Sequence, residues 1–184
     1  TNTIISKDVL EIAGTRKSTQ VFQLAKLLAL QVGQLVNFNE LSNITELSRM
    51  SIYKYIDIFE QMGIIVKARP ISTNEREAIS KATKIYFTDL GVRNALVDNF
   101  SSFNERLDKG QLLENAVFVG IKRNDDYNNI HSRLGFFRSA TNKEIDIVRK
   151  AKDEEYLYEV KVRDINKKKN VKVISLQNAQ KYLY

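Results

Sequence analysis

Apolar residues recur at helical spacing over residues 19–36. Val21, Leu24, Ala25, Leu28 and Val32 fall on one stripe, with Gln23, Lys26 and Gln31 off it. Gly33 marks the stop. Asn37 or Asn39 then caps a short second helix through Leu41 and Ile44. After a polar break at 48–51, Ser51 caps a third helix over 52–62, closed by Gly63. Its inward positions are Ile52, Tyr55 or Ile56, and Phe59; Tyr53, Lys54 and Asp57 point outward. Beyond Gly63 the pattern changes. The β-branched run 64–66 reads as a strand ended by Pro70, and Ile85, Tyr86 and Phe87 as the returning strand. The polar stretch between them carries Arg76 and Lys81.

The second half begins with a bridging helix over 89–97 and a polar linker over 98–108. A helix over 110–122 follows, apolar at Leu112, Leu113, Ala116, Val117, Val119 and Ile121, then a polar loop over 124–132. Three strand-like runs, 134–139, 144–150 and 155–162, are joined by connections short enough for hairpins. After a basic stretch at Arg163 and Lys167 to Lys169, residues 171–183 read as a last helix. Ile174, Leu176, Ala179, Tyr182 and Leu183 spread around more than one face of it, and such a helix needs neighbours on each. Tyr158, Val160 and Val162 share one face of the preceding strand, whose edge wants a further strand. The expected cover is a missing C-terminal strand, a second chain or another domain. At the start, residues 8–13 form about one helical turn ending at Gly14, read as an entry arm.

Composition narrows the chemistry. A length of 184 residues allows one ordinary domain or two small ones, and 43% hydrophobic with 28% charged residues is a core-forming mix. The absence of cysteine removes disulfides, thiol nucleophiles and zinc fingers, and the single histidine, His131, removes two-histidine zinc motifs. Any metal would sit on carboxylates, which favours Mg²⁺ or Mn²⁺. With 29 Lys and Arg against 22 Asp and Glu, the net charge of +7 suits an anionic partner, nucleic acid first, though solubility alone also accounts for it. No run reaches the ~18 apolar residues of a membrane span, and no signal peptide is visible, so the expectation is a cytoplasmic protein without membrane contact. The chain starts at Thr1 and reads as a fragment.

Three helices followed by a two-stranded hairpin is the order of a winged helix. In that motif the third helix enters a major groove and the wing reaches backbone or minor groove. This makes Tyr53 and Lys54 on the helix, and Arg76 and Lys81 on the wing, the candidate DNA contacts. In the second half the informative constellation is Glu114, Asp146, Glu159 and Lys161. Glu159 and Lys161, two apart on one strand, share a face. Asp146 on the hairpin partner is expected beside Glu159, with Glu114 coming from the covering helix. Convergent carboxylates hold Mg²⁺ through oxygen, and a lysine beside them stabilises developing charge. On its own, such a pair is more often a solvated edge or a cross-strand ion pair.

Phe136-Phe137-Arg138, then E-I-D-I-V at 144–148 and Y-E-V-K-V at 158–162, resemble the restriction-endonuclease-like PD-(D/E)XK fold, with G-Q-L-L-E-N at 110–115 as its upstream helix. K-I-Y-F-T-D-L-G at 84–91 and K-D-V-L-E-I-A-G at 7–14 resemble, more specifically, the C-terminal region of prokaryotic AAA-type P-loop ATPases. The resemblance implies an α+β chain: residues 1–14 the tail of an ATPase domain, 15–97 a winged helix, 98–108 a linker, and 109–184 a nuclease-like domain short at its C-terminus. It implies Asp146 and Glu159 as metal ligands, Lys161 as the catalytic lysine and Glu114 as the helix carboxylate. Arg138 matches a recurrent arginine without an assigned role.

The expected partners are duplex DNA, the upstream ATPase domain and, in an oligomer, further copies. The expected activity is Mg²⁺-dependent phosphodiester hydrolysis. The alternative is a non-catalytic interaction or regulatory module. Gly14-Thr15-Arg16-Lys17-Ser18 lacks the second glycine of a phosphate-binding loop, so no ATP site is expected in the chain.

Overall fold

The computed structural model describes residues 17–71, 82–139, 144–152, 154–163 and 171–182. Helix α1 (Ser18–Leu30) buries Val21, Leu24, Ala25 and Leu28, the stripe its spacing predicts. Asn37 caps α2 (Phe38–Thr45), its side-chain oxygen accepting from the N–H groups of Asn39 and Glu40 at 3.1 and 3.2 Å. Helix α3 (Arg49–Gln61) begins before the expected Ile52. Ser48 rather than Ser51 is its cap: the Ser48 hydroxyl accepts from the Ser51 N–H at 3.2 Å, so Ser51 belongs to the first turn. Ile52, Tyr55, Ile56 and Phe59 all point into the core of the three helices.

Strands β1 (Ile65–Pro70) and β2 (Lys84–Phe87) pair antiparallel, Ile65 opposite Phe87 and Ala68 opposite Lys84. The period of two divides their side chains between two cores. Ile65, Ile85 and Phe87 pack on the helices, while Ala68 and Tyr86 pack on the other side. The hairpin is thus a wall shared by both halves of the molecule. Its polar connection, with Arg76 and Lys81, lies outside the described residues, as does the short helix expected over 8–13.

Asp89 caps α4 (Leu90–Leu96) through the N–H groups of Gly91 and Val92. From this helix the buried Arg93 donates to the Ala29 carbonyl at 2.8 Å and pairs with Asp108 at 2.6 Å. Arg106 grips the same carboxylate with two hydrogen bonds of 2.8 and 2.9 Å. The stretch over 98–108 therefore contains a short 3₁₀ turn (Phe103–Glu105) and is anchored at its end. Helix α5 (Lys109–Tyr127) runs past the expected end at Lys122. Its polar last turn is held because Asp125 is buried and takes a two-pronged contact from Arg149, at 2.7 and 2.8 Å, with the Ser132 hydroxyl at 2.6 Å.

Among the described residues, six strands form one mixed sheet in the order β2-β1-β3-β4-β5-β6, with β3 (Ser132–Arg138), β4 (Glu144–Ala151), β5 (Glu154–Lys161) and β6 (Lys172–Ser175). The join between the halves is parallel: Arg69 lies opposite Gly135, and the Ile71 N–H donates to the Phe136 carbonyl at 2.7 Å. α5 covers one face, Leu113, Val117, Phe118 and Ile121 meeting Phe136, Ile147, Tyr158 and Val160. The helix expected over 171–183 is instead β6 followed by a 3₁₀ turn (Ala179–Tyr182). The Val-Lys-Val-Ile run is rich in β-branched residues, and the open edge of β5 offers it a ladder. Val160 lies opposite Ile174, so the strand that this edge wants comes from the chain itself. The fold is mixed α+β. No helix among the described residues is long and apolar enough to cross a membrane.

Candidate functional site

An open cleft of about 710 Å³ lies where the two halves meet. One wall comes from the first half: Gly33, Gln34 and Leu35 after α1, and Lys84 on β2. The N-terminal part of α5 contributes Gly110, Gln111 and Glu114, and the sheet contributes Arg138, Glu144, Asp146, Val160, Lys161 and Val162. Gly33, at φ +72°, turns the chain out of α1 so that residues 33–36 run against β2. There the Gly33 N–H donates to the Ile85 carbonyl at 3.0 Å and the Val36 N–H to the Thr83 carbonyl at 2.8 Å.

A bulge aims Asp146 into this cleft. Gly135 pairs with Val148 but Phe137 pairs with Ile145, so Asp146 and Ile147 together oppose the single residue Phe136. Such an extra residue puts neighbouring side chains on one side and bends the strand. Asp146 thereby joins the α5 side of the sheet beside the buried Ile147. The recorded β4–β5 register runs to Ile147 opposite Tyr158, and the Val160 N–H donates to Asp146 Oδ2 at 2.8 Å. The Lys161 ammonium, 40% exposed, stands 3.4 Å from the same oxygen.

Glu114 is held by groups from β2. Its Oε1 accepts from the Tyr86 hydroxyl at 2.6 Å and from the Lys84 ammonium at 3.2 Å. Lys84, only 3% exposed, also pairs with Glu144 at 2.7 Å and lies 5.3 Å from the centre of the Phe136 ring. Burial pushes the Lys84 ammonium down, but Glu114 and Glu144 outweigh it and hold it above its ordinary value. Glu114 moves up instead: burial raises it, the charge of Asp146 adds to that, and Lys84 and Tyr86 oppose the rise without cancelling it. Burial first, then the Glu114 charge, carries the Tyr86 hydroxyl well above the usual phenol range.

Of the residues singled out from the sequence, Glu114, Asp146, Lys161 and Arg138 line one cleft. Glu159 does not line it. Glu159 is buried, 7% exposed, between Tyr158 and Val160 of the α5-facing core. On β5 the Asp146 carboxylate meets the Val160 N–H and the Lys161 ammonium, the two residues that follow Glu159. Tyr53 is exposed and stacks on Phe38, ring centres 4.3 Å apart, and Lys54 is exposed next to it. Arg76 and Lys81 lie outside the described residues. His131 is exposed. Lys84 and Tyr86 were not among the expected site residues. Their signal is the alternation in Lys-Ile-Tyr-Phe: two polar-tipped residues share one face of a strand whose other face is apolar, and such a face needs an acidic partner when buried.

No group of three or more Asp, Glu or His among the described residues stands in metal-holding geometry. Of the hard oxygen donors that Mg²⁺ or Mn²⁺ would need, the open wall offers the Asp146 carboxylate, whose Oδ2 also takes the Val160 N–H.

Comparison with known proteins supplies a class first. The family model of a domain of unknown function, DUF4143, matches residues 109–183, and that domain is typically found C-terminal to AAA ATPase domains. The chain belongs to the family described as Domain of unknown function (DUF8612), whose model matches residues 1–102. The cleft is therefore built from both matched regions. An uncharacterized protein of Methanocaldococcus jannaschii is 27% identical over 116 residues, 62% of this chain and 24% of its own length. An uncharacterized protein of Haemophilus influenzae is 27% identical over 128 residues, 66% of this chain and 30% of its own length. The chain thus spans less than a third of these curated relatives. No solved structure matches it.

Proposed function

We propose that this chain is the nucleic-acid-binding C-terminal module of an AAA-type ATPase, a winged helix joined to a restriction-endonuclease-like domain that hydrolyses phosphodiesters of duplex DNA with Mg²⁺. The observation that carries the reading is the meeting of Asp146 and Lys161 at 3.4 Å in a cleft that Glu114 also lines. In this reading Asp146 holds the ion and Lys161 orients the attacking water. Mg²⁺, when bound, supplies charge neutralisation at the phosphate and lowers the pKa of a coordinated water. Water adds to phosphorus and the P–O ester bond breaks, leaving a phosphate monoester and an alcohol. Lys161 stabilises the charge that builds on the phosphoryl oxygens. Arg138, exposed at the cleft rim, is placed to meet a neighbouring phosphate.

The position of Glu159 favours a second reading, a non-catalytic module in which the carboxylates are structural. The two readings separate in one assay. The full chain is incubated with linear and supercoiled duplex DNA at millimolar Mg²⁺ or Mn²⁺, beside Asp146→Ala and Lys161→Ala. Hydrolysis by the parent and a loss of at least about 10²-fold in each variant supports the nuclease, the size expected for removing a group that stabilises transition-state charge. Parent activity that survives both substitutions removes Asp146 and Lys161 from the catalysis, and no hydrolysis under any metal with DNA still bound supports the non-catalytic module.

A further inference from the structure

Four exposed side chains stand together at the start of α3. Arg49 and Tyr53, like Met50 and Lys54, are four residues apart, and Met50 and Tyr53 are three apart, so they are neighbours on the helix surface. At 3.6 residues per turn they run around the helix in the order Arg49, Tyr53, Met50, Lys54. Two apolar groups thus have a cation on either side. Met50 is 77% exposed and Tyr53 39%. The Tyr53 ring is nevertheless fixed: it stacks at 4.3 Å on Phe38, which itself packs on the core of the three helices. Farther along α3, the Asp57 and Glu60 carboxylates are drawn to Lys67 at 2.6 and 2.7 Å. The exposed acids Glu40 and Glu46 belong to α2 and to its C-terminal cap.

We infer that this end of α3 reads thymine: Met50 and Tyr53 meet the C5-methyl groups of A·T pairs in the major groove, while Arg49 and Lys54 take the phosphates on either side. The inference rests on the nucleic-acid-binding reading and gives it a sequence preference; it does not depend on hydrolysis. An apolar pair framed by cations matches a surface that shows apolar groups between two rows of negative charge. Of the groups that base pairs present in the major groove, the thymine methyl is the apolar one, and the others are hydrogen-bond donors and acceptors. That groove, about 12 Å wide, admits one helix and leaves a phosphate backbone along each side of it. Arg49 and Lys54 supply affinity without sequence information, and the Met50–Tyr53 pair supplies the preference. Because Phe38 already holds the Tyr53 ring, little side-chain freedom is lost there on binding.

The probe is a short alternating A·T duplex, compared with the same duplex carrying uracil in place of thymine. The exchange removes the methyl groups and keeps the donors and acceptors of every base pair. Binding of the full chain is followed by fluorescence anisotropy without divalent metal, so that no strand is cut. The parent should bind the thymine duplex at least about fourfold more tightly, the size of one buried CH₂ group. Met50→Ala with Tyr53→Ala should bring the two affinities together while leaving salt-dependent binding through the cations. If the loss of the Phe38 stack unsettles that variant, Met50→Ala alone decides, because its side chain is largely in solvent, and its ratio should fall toward one. Equal affinity of the parent for both duplexes, or a preference for thymine that is unchanged in the variants, overturns the inference and leaves the nucleic-acid-binding reading standing. No binding of the parent to either duplex at low salt defeats both.

Discussion

Two buried guanidiniums, Arg93 and Arg106, converge on one carboxylate, Asp108. The Arg106 hydrogen bonds, joined by Arg93 and opposed by burial, lower its pKa from 3.8 to about 2. A carboxyl lowered on folding stabilises the native state fully above its unfolded pKa and loses that contribution as pH falls through the folded value. The Asp108 contribution is therefore complete above pH 3.8 and fades toward pH 2. Asp108→Ala should cost about 3–5 kcal/mol at neutral pH, because it removes the carboxylate that balances two buried guanidiniums. Urea denaturation measures the loss. Between pH 4 and pH 2 the parent should lose stability more steeply than the variant, and parallel curves would show that Asp108 is not the titrating group.

At the scale of elements, the parallel join of β1 to β3 depends on Gly135. A Cβ there would lie only 2.1 Å from the Arg69 carbonyl oxygen, which is backbone and cannot swing away. Gly135→Ala should destabilise by about 3 kcal/mol or more, the upper range of overpacking costs. A drop of less than about 1 kcal/mol in chemical denaturation would show that the two halves do not rely on this contact. Helix α3 carries a second prediction. Arg49, Tyr53 and Lys54 are exposed along its first turns, while Lys67 ties down Asp57 and Glu60 farther along at 2.6 and 2.7 Å. If this end meets DNA, Arg49→Glu with Lys54→Glu should weaken duplex binding across sequences and reduce the salt slope by roughly one unit per lost phosphate contact. Unchanged affinity at low salt would remove α3 from the interface.

The same elements show what the sequence conveys. The stripe Val21, Leu24, Ala25 and Leu28 and the inward set of α3 are legible because helical period and burial coincide. Glu114, Asp146 and Lys161 are legible as neighbours because a helix and two strands of adjacent order must bring them near. The bulge at Asp146 is not, since an extra residue in a ladder leaves no mark on the alternation of one strand read alone. Nor is β6, whose short apolar run fits helix and strand equally until the edge of β5 decides between them. Asp125 and Lys84 escape notice for a common reason: their partners, Arg149 for one and Glu114 with Glu144 for the other, are distant in the chain.

Across the whole molecule, the continuous sheet and the shared hairpin make one mechanical unit of two regions that match separate families. Unfolding should accordingly be a single transition, with far-ultraviolet and tyrosine signals coinciding. Two separated transitions would mean that the β1–β3 join and the Arg93–Asp108–Arg106 anchor do not couple the halves. The cleft stands at that join, where a movement of the first half would carry Lys84 relative to Glu114 and Glu144. The most direct test of the site as a whole is the anomalous signal of Mn²⁺ in crystals of the full chain grown or soaked with the ion. The account predicts a peak in coordination contact with Asp146. No peak at Asp146 at saturating Mn²⁺ would contradict it.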